Sequence, residues 1–520
     1  MEIWNYINVL RKSERLPFRK RISSDINEKL EALENLKIKG NTSIISELIP
    51  ILKTDNLELR NKTFEVIKCF YEKIYSGKAL YQTLKYCQID KKSLNIFKQK
   101  FSTDEYVVLV SIATYNFDGY VREKAIDELS QIKNCKEILN PLLHRLSDWV
   151  VINRNKSEKI IRNLKQSENL DYFVEQIFVI ENLKKVSRTD LTEINNELLS
   201  FIIDENRDEV LLKFRDYSDK IRVLLTRHLI STTNLNLSVL NIFLKDKNFI
   251  VRSLVLKRFE LLTNQEIQKL LADKSSKIRI QTLYSLEKTS NISEIAFNFL
   301  ADSSASIRNF SRFILKDQNI DFKNLYLINL LENKHIEGSL HGLKEADGKE
   351  FANNVIPFLK SSQIKIVKAA FNVIQEFKST TAYDFAFTNM DSEFEGIRKI
   401  SIEYLYKKNP TLEVIQKART IFHSENLPLR KLMLKFFSKI GKYRCLNEIL
   451  IGTIDEREEI RILSRAYLKD WILKSSKYFI PPTQIEVEMI REALLKVKNQ
   501  IDNNEYLEIK ILKEIEFRIR

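Results

Sequence analysis

A repeat of about thirty residues constrains this chain more than any other feature. Arg222, Arg252, Arg279, Arg308, His341, Lys368, Arg398, Arg430 and Arg461 fall at successive intervals of 30, 27, 29, 33, 27, 30, 32 and 31 residues. Each follows an Ile, Val or Leu. Most are preceded, typically six residues back, by an aspartate: Asp216, Asp246, Asp273, Asp302, Asp391 and Asp455. A fixed period of this length marks a stack of identical supersecondary units, none of which can bury its apolar face alone.

Composition decides what the unit is. The 520 residues include only 9 Gly and 8 Pro, too few for the turns of a sheet protein, while 44% apolar residues are ample for a continuous core. Helices joined by short polar turns are the consequence. In "DKNFIVRSLVLKRFELL", Val251, Leu254, Val255, Phe259 and Leu262 recur at helical spacing. "DKSSKIRIQTLYSLEK" repeats the plan with Ile278, Thr282, Leu283 and Leu286. The turn Asp has a local reason to recur, because its carboxylate can accept hydrogen bonds from free N–H groups at the start of the next helix. Earlier units end at Arg60, Arg122 and Arg154. The intervals of 62 residues between Arg60 and Arg122, and of 68 between Arg154 and Arg222, predict a degenerate unit in each, near 80–100 and 175–200.

A second mark is a proline followed by two apolar residues shortly before the turn, in "LIPILKTDNLELR", "NPLLHRLSDWVVINR" and "VIPFLKSSQIKIVK". Proline deletes a helical hydrogen bond and crowds the preceding turn, so a kink is expected at each.

Together the Pro-apolar-apolar, Asp and Ile/Val-Arg elements make residues 41–470 resemble the HEAT-repeat family, especially its short bacterial class related to phycobilin-lyase repeats. The Ala-rich, Gly-terminated second helix of that class is mostly replaced here by Phe, Tyr, Leu and Ile. The resemblance implies an all-α superhelical α–α solenoid, HEAT/armadillo-like. Residues 1–40 would form an N-terminal helical cap, 41–470 the repeat array, and 471–520, after Pro481-Pro482, a C-terminal cap, since terminal repeats need one polar outer face. It also implies that Asp216, Arg222, Asp246, Arg252, Asp273, Arg279, Asp302, Arg308, Asp391, Arg398, Asp455 and Arg461 form a structural ladder between repeats. Each charge-assisted bond would add roughly 1–3 kcal/mol.

No sequence signal for chemistry stands out. There is no GxxxxGK[ST], GxGxxG or GxSxG, and no HExxH. Cys69, Cys87, Cys135 and Cys445 share no CxxC spacing, and His144, His228, His335, His341 and His423 have no metal-ligand spacing. No catalytic residue, cofactor or metal is expected. Asp148 beside Trp149 is similar to the base-excising pocket of HEAT-like alkylpurine DNA glycosylases, yet it holds the ordinary turn position six residues before Arg154.

Charge gives a mixed surface, with 85 Lys+Arg against 70 Asp+Glu for a net +15. The local excess lies in Arg11, Lys12, Arg15, Arg19, Lys20 and Arg21, a candidate polyanion contact. Lys439, Lys442, Tyr443 and Arg444 form a second basic-aromatic run. The resulting expectation is a non-enzymatic scaffold that binds a protein or peptide along its concave surface. The alternative is a nucleic-acid-binding HEAT-like protein with a basic concave face. The start, Met1-Glu2-Ile3-Trp4-Asn5, lacks the pattern of a secretory signal. The unpaired cysteine pattern and the absence of a membrane-length apolar run point to the cytoplasm, and the richness in Lys, Asn and Ile to a bacterial, AT-rich genome.

Overall fold

The computed structural model of the protein describes residues 2–11, 23–74, 77–132, 135–232, 234–288, 291–500 and 506–519. Among them the chain forms 33 α-helices, with short 3-10 segments, one π turn at Phe201–Glu205 and no strand. None of these helices is long and apolar enough to cross a membrane. Backbone packing divides the chain into two compact units, Met1–Leu270 and Leu271–Arg520.

Each unit has the α–α solenoid organisation that the period predicts. In the first, the hairpin Cys135–Arg145/Val151–Leu164 packs its second helix on Gly119–Leu129, the second helix of the preceding hairpin. In the second, Ile364–Phe377, Glu395–Lys407 and Leu427–Ile440 stack in the same way. The two intervals without the Asp…Arg signature also hold helix pairs, Gly77–Leu84 with Lys91–Lys100 and Ile177–Leu183 with Thr192–Ser200.

Local sequence sets where the helices begin. Asn56, Asp90, Ser102, Asn236, Asp321, Thr411, Asn426 and Thr483 each accept a backbone N–H of the first turn. Ser102 with Glu105 and Thr483 with Glu486 complete reciprocal capping boxes. The prolines act in two ways. At Pro50 and Pro357 a short α-helix tightens into 3-10 geometry, Ile49–Lys53 and Ile356–Lys360, because the missing N–H ends the α ladder. At Pro141 the α-helix Cys135–Arg145 continues through.

Bulky side chains fill the interior between layers. In the first unit Phe173 meets Phe201 edge-on at 5.2 Å, and Phe214 lies 5.2 Å from Phe243. In the second, Phe371 meets Tyr404 at 5.4 Å and Phe422 meets Phe437 at 5.7 Å. Rings of this size supply the contact that small residues would give up, at roughly 1.5–3 kcal/mol per buried side chain. A Cβ on Gly338 would collide with the Ala301 and Asp302 carbonyl oxygens, and one on Gly342 with the Tyr326 ring. Helix Ile336–Glu345 therefore lies directly on the Ala301–Asp302 turn and on Tyr326.

Candidate functional site

The periodic residues meet through a staggered device. Within one repeat, the turn carboxylate accepts the backbone N–H two residues on: Asp148 from Val150 at 2.9 Å, Asp246 from Asn248 at 2.7 Å, Asp273 from Ser275 at 2.7 Å, Asp302 from Ser304 at 2.7 Å and Asp455 from Arg457 at 3.0 Å. The arginine of the same repeat does not bind that carboxylate. Its Nη1 donates instead to the carbonyl oxygen six residues back. Arg154 reaches Asp148 O, Arg252 reaches Asp246 O, Arg279 reaches Asp273 O and Arg461 reaches Asp455 O, all at 2.8 Å, and Arg308 reaches Asp302 O at 2.7 Å.

The rest of the guanidinium crosses to the next repeat. Arg122 places Nε and Nη2 on Asp148 at 2.7 Å each. Arg222 forks onto Asp246 at 2.8 and 3.2 Å, and Arg279 onto Asp302 at 2.9 and 2.7 Å. Arg430 pairs with Asp455. One arginine thus fastens its own turn and the following one, using the planar geometry that only guanidinium offers.

Two predicted members do not join in the predicted way. Asp216 is exposed, and Arg222 reaches Tyr217 O at 2.6 Å and Asp219 at 2.7 Å instead. Asp391 lies seven residues before Arg398, one out of register, so Arg398 binds Ser392 O at 2.6 Å while Asp391 faces Lys417 at 3.6 Å. Arg308 departs differently. The following turn carries His335, with a left-handed backbone (φ 46°), where Asp148, Asp246, Asp302 and Asp455 stand in other repeats, and Arg308 turns to Glu345 at the end of helix Ile336–Glu345. Glu345 also accepts Arg312 at 2.7 Å. Burial would raise the Glu345 pKa, but the two arginines hold it below the usual carboxylate range.

Asp148 shows how completely these groups are used. Its side chain is 0% exposed. Oδ1 accepts Arg122 and the Val150 N–H, and Oδ2 accepts Arg122 and Arg145, so the four lone-pair directions are spent. Burial pushes its pKa up, and these bonds outweigh that, leaving it depressed. In the repeat before it, Asn116 does the work of the turn Asp, bonding the Asp118 N–H at 2.9 Å and the Cys87 and Ile89 carbonyls at 3.0 and 3.1 Å.

The other candidates are dispersed. Arg11 is exposed and pairs with Glu47, while Lys12, Arg15, Arg19, Lys20 and Arg21 lie outside the described residues. Lys439, Lys442 and Arg444 line an open cleft of about 600 Å³ together with Tyr406, Lys407 and Pro481. Tyr443 is buried against Trp471 at 5.6 Å, so it packs the core instead of offering a stacking face. Burial pushes the Cys87 and Cys445 thiols up to about 12 and Cys135 to about 11. Burial, with Arg145 beside it, pushes His144 down to about 4. No group of three potential metal ligands occurs among the described residues.

Sequence reasoning missed one class of residue. Phe117 and Trp149 stand exposed on turns and Tyr120 stands exposed at the start of helix Gly119–Leu129, positions to which the repeat pattern assigns no contact role. Their signal was positional: Phe117 and Trp149 directly follow the turn Asn or Asp, where Lys247, Lys274, Ser303 and Glu456 occur in other repeats.

No protein-family model matches the chain, and no curated protein matches it. Among solved structures, it is similar to an engineered protein at 12% identity, covering 85% of this chain and 99% of that one, with a TM-score of 0.16. It is also similar to a structure concerned with tubulin recruitment and assembly by microtubule polymerases with tumor overexpressed gene (TOG) domain arrays. That likeness has 12% identity, 92% and 98% coverage and a TM-score of 0.16. Scores this low carry nothing about function.

Proposed function

We propose that this chain is a non-enzymatic helical-repeat scaffold of the cytoplasm that binds a protein or peptide partner along its concave surface. The observation that supports this most is the commitment of the periodic guanidinium groups. Arg122, Arg222 and Arg279 each donate to a carbonyl of their own turn and to a carboxylate of the next. The most regular feature of the sequence is thereby a frame, and the helix and turn surfaces mounted on it are left to vary and to bind. The unpaired cysteines, three of them buried, suit a reducing compartment.

The test is capture on the immobilised full chain from its native cell lysate, with and without nuclease, at 50 and 200 mM salt, followed by titration of each identified protein in purified form. A protein that is retained at both salt concentrations and saturates the chain in calorimetry is the expected result. Retention of nucleic acid alone, weakening steeply with salt, would replace this reading with the polyanion one.

A further inference from the structure

Four consecutive turns of the first unit are tied edge to edge. The Phe117 N–H donates to Lys85 O at 2.8 Å. Asn153 donates to Gly119 O at 3.2 Å, and a Cβ on Gly119 would lie 2.9 Å from a Val150 methyl. Arg188 donates to Ser147 O at 2.9 Å. Along this edge stand Tyr86 (65% exposed), Phe117 (66%), Tyr120 (69%) and Trp149 (67%), followed by the exposed Val151 and Ile152. The frame does not require them, since other repeats build the same turn with Lys, Ser or Glu. A contiguous exposed aromatic strip with no structural duty is the signature of a contact surface.

Cations stand over three of its rings. Lys85 sits 4.6 Å from the Tyr86 ring centre, Lys91 5.2 Å from Tyr120, and the Arg188 guanidinium 3.6 Å from Trp149. Among the described residues, none of these three cations has a carboxylate partner. The neighbouring acids point into their own turns: Asp90 caps Ser93, Asp118 accepts the Tyr120 N–H and Asp190 accepts the Thr192 N–H, each through one oxygen, while Asp148 is saturated. Cations parked on rings hold the aromatic side chains in place and present unspent N–H donors beside apolar surface.

We infer that this strip docks an acidic protein segment, one in which Asp or Glu side chains alternate with apolar ones. Carboxylates would meet Lys85, Lys91 and Arg188 while apolar side chains cover Phe117, Trp149 and Ile152. A protein fits better than a nucleic acid strand. Val151 and Ile152 offer no face to a base, and the cations lie over the rings on which bases would stack. The inference rests on the scaffold reading and names where and by what chemistry the partner is held.

The experiment uses fluorescence anisotropy with the full chain and three labelled probes: a 16-residue peptide alternating Glu with Leu and Phe, the same peptide with Gln for Glu, and a 16-nucleotide oligothymidine. The variants are Phe117→Ala/Trp149→Ala and Lys91→Glu/Arg188→Glu, with Leu473→Ala, exposed in the other unit, as control. All the changed side chains are exposed and only Arg188 gives up a bond, to Ser147 O, so circular dichroism melts should stay close to the parent's. The expected result is that the acidic peptide binds about tenfold or more tightly than the Gln peptide. Each strip variant loses about tenfold or more, and the control loses nothing. Equal binding of the two peptides, or full binding by the strip variants, overturns the inference. Strip-dependent preference for oligothymidine does so too, and assigns the surface to nucleic acid. Should the strip variants still hold every protein that the parent captures from lysate, the docking site is wrong and the scaffold reading stands. Should the parent capture no protein, both fall.

Discussion

Replacing Arg122 with alanine removes a buried member of the frame that is bonded through all three guanidinium nitrogens. Its side chain is 4% exposed and makes two bonds to Asp148 and two to the Asn116 and Phe117 carbonyls, each at 2.7–2.9 Å. Breaking a buried pair by deleting one partner costs about 3–5 kcal/mol, because the surviving charge is stranded. Here Asp148 keeps Arg145 and the Val150 N–H, so it is not wholly stranded and the lower part of that range applies. A loss of about 3–4 kcal/mol lowers the midpoint of a unit of this size by roughly 6–10 °C. Urea and thermal unfolding followed by circular dichroism measure it. Lys at this position restores less than half, since one ammonium cannot fork onto a carboxylate and reach two carbonyls. If Arg122→Ala melted within about 1 kcal/mol of the parent, the frame would not be what holds adjacent repeats, and the reasoning would fail.

Other predictions follow from the same geometry. His144 is half-buried, and desolvation with Arg145 beside it pushes its pKa down to about 4, so the unfolded chain binds its proton first. The stability this residue confers is fully present above about pH 6.5 and is lost progressively as pH falls toward 4, by about 2–3 kcal/mol. Urea midpoints at pH 7, 5.5 and 4 should show that slope, and His144→Gln should flatten it. Gly338→Ala should destabilise the second unit by about 3 kcal/mol or more, because the Cβ would collide with backbone at Ala301 and not with a movable side chain; an unchanged melt would mean that the helix can lift off the turn. Cys69 is only half-buried whereas Cys87, Cys135 and Cys445 are buried, so a thiol reagent should label one site quickly under native conditions and three more only on unfolding.

Periodicity made the helical hairpins and their register legible, because each layer repeats the same packing problem at the same interval. It marked the residue types that meet between repeats and left open which individuals pair. Asp302 belongs to Arg279 of the previous repeat through its side chain and to Arg308 of its own only through its carbonyl. A period gives both distances equally and cannot choose. Glu345, 37 residues beyond Arg308, was invisible because it lies on a helix face outside the motif, recruited only where His335 displaces the turn Asp. Asn116 does not carry the Asp signature, although Asn offers the same accepting oxygen and adds a donor. The exposed strip was hidden for a compositional reason. With 30 Phe and 19 Tyr in the chain, aromatic residues read as core, and only the turn position of Phe117 and Trp149 distinguishes them. The division at Leu270 has no counterpart in the period.

The central claim is that the recurrent guanidinium groups lock one repeat to the next. A double-mutant cycle between Arg279 and Asp302, Ala and Asn replacing them singly and together, measures that most directly. A coupling energy of about 2–3 kcal/mol in urea unfolding is predicted, with binding of any captured partner unchanged in the folded variants. Coupling near zero, with stability intact and partner binding lost, would show instead that these arginines serve a ligand.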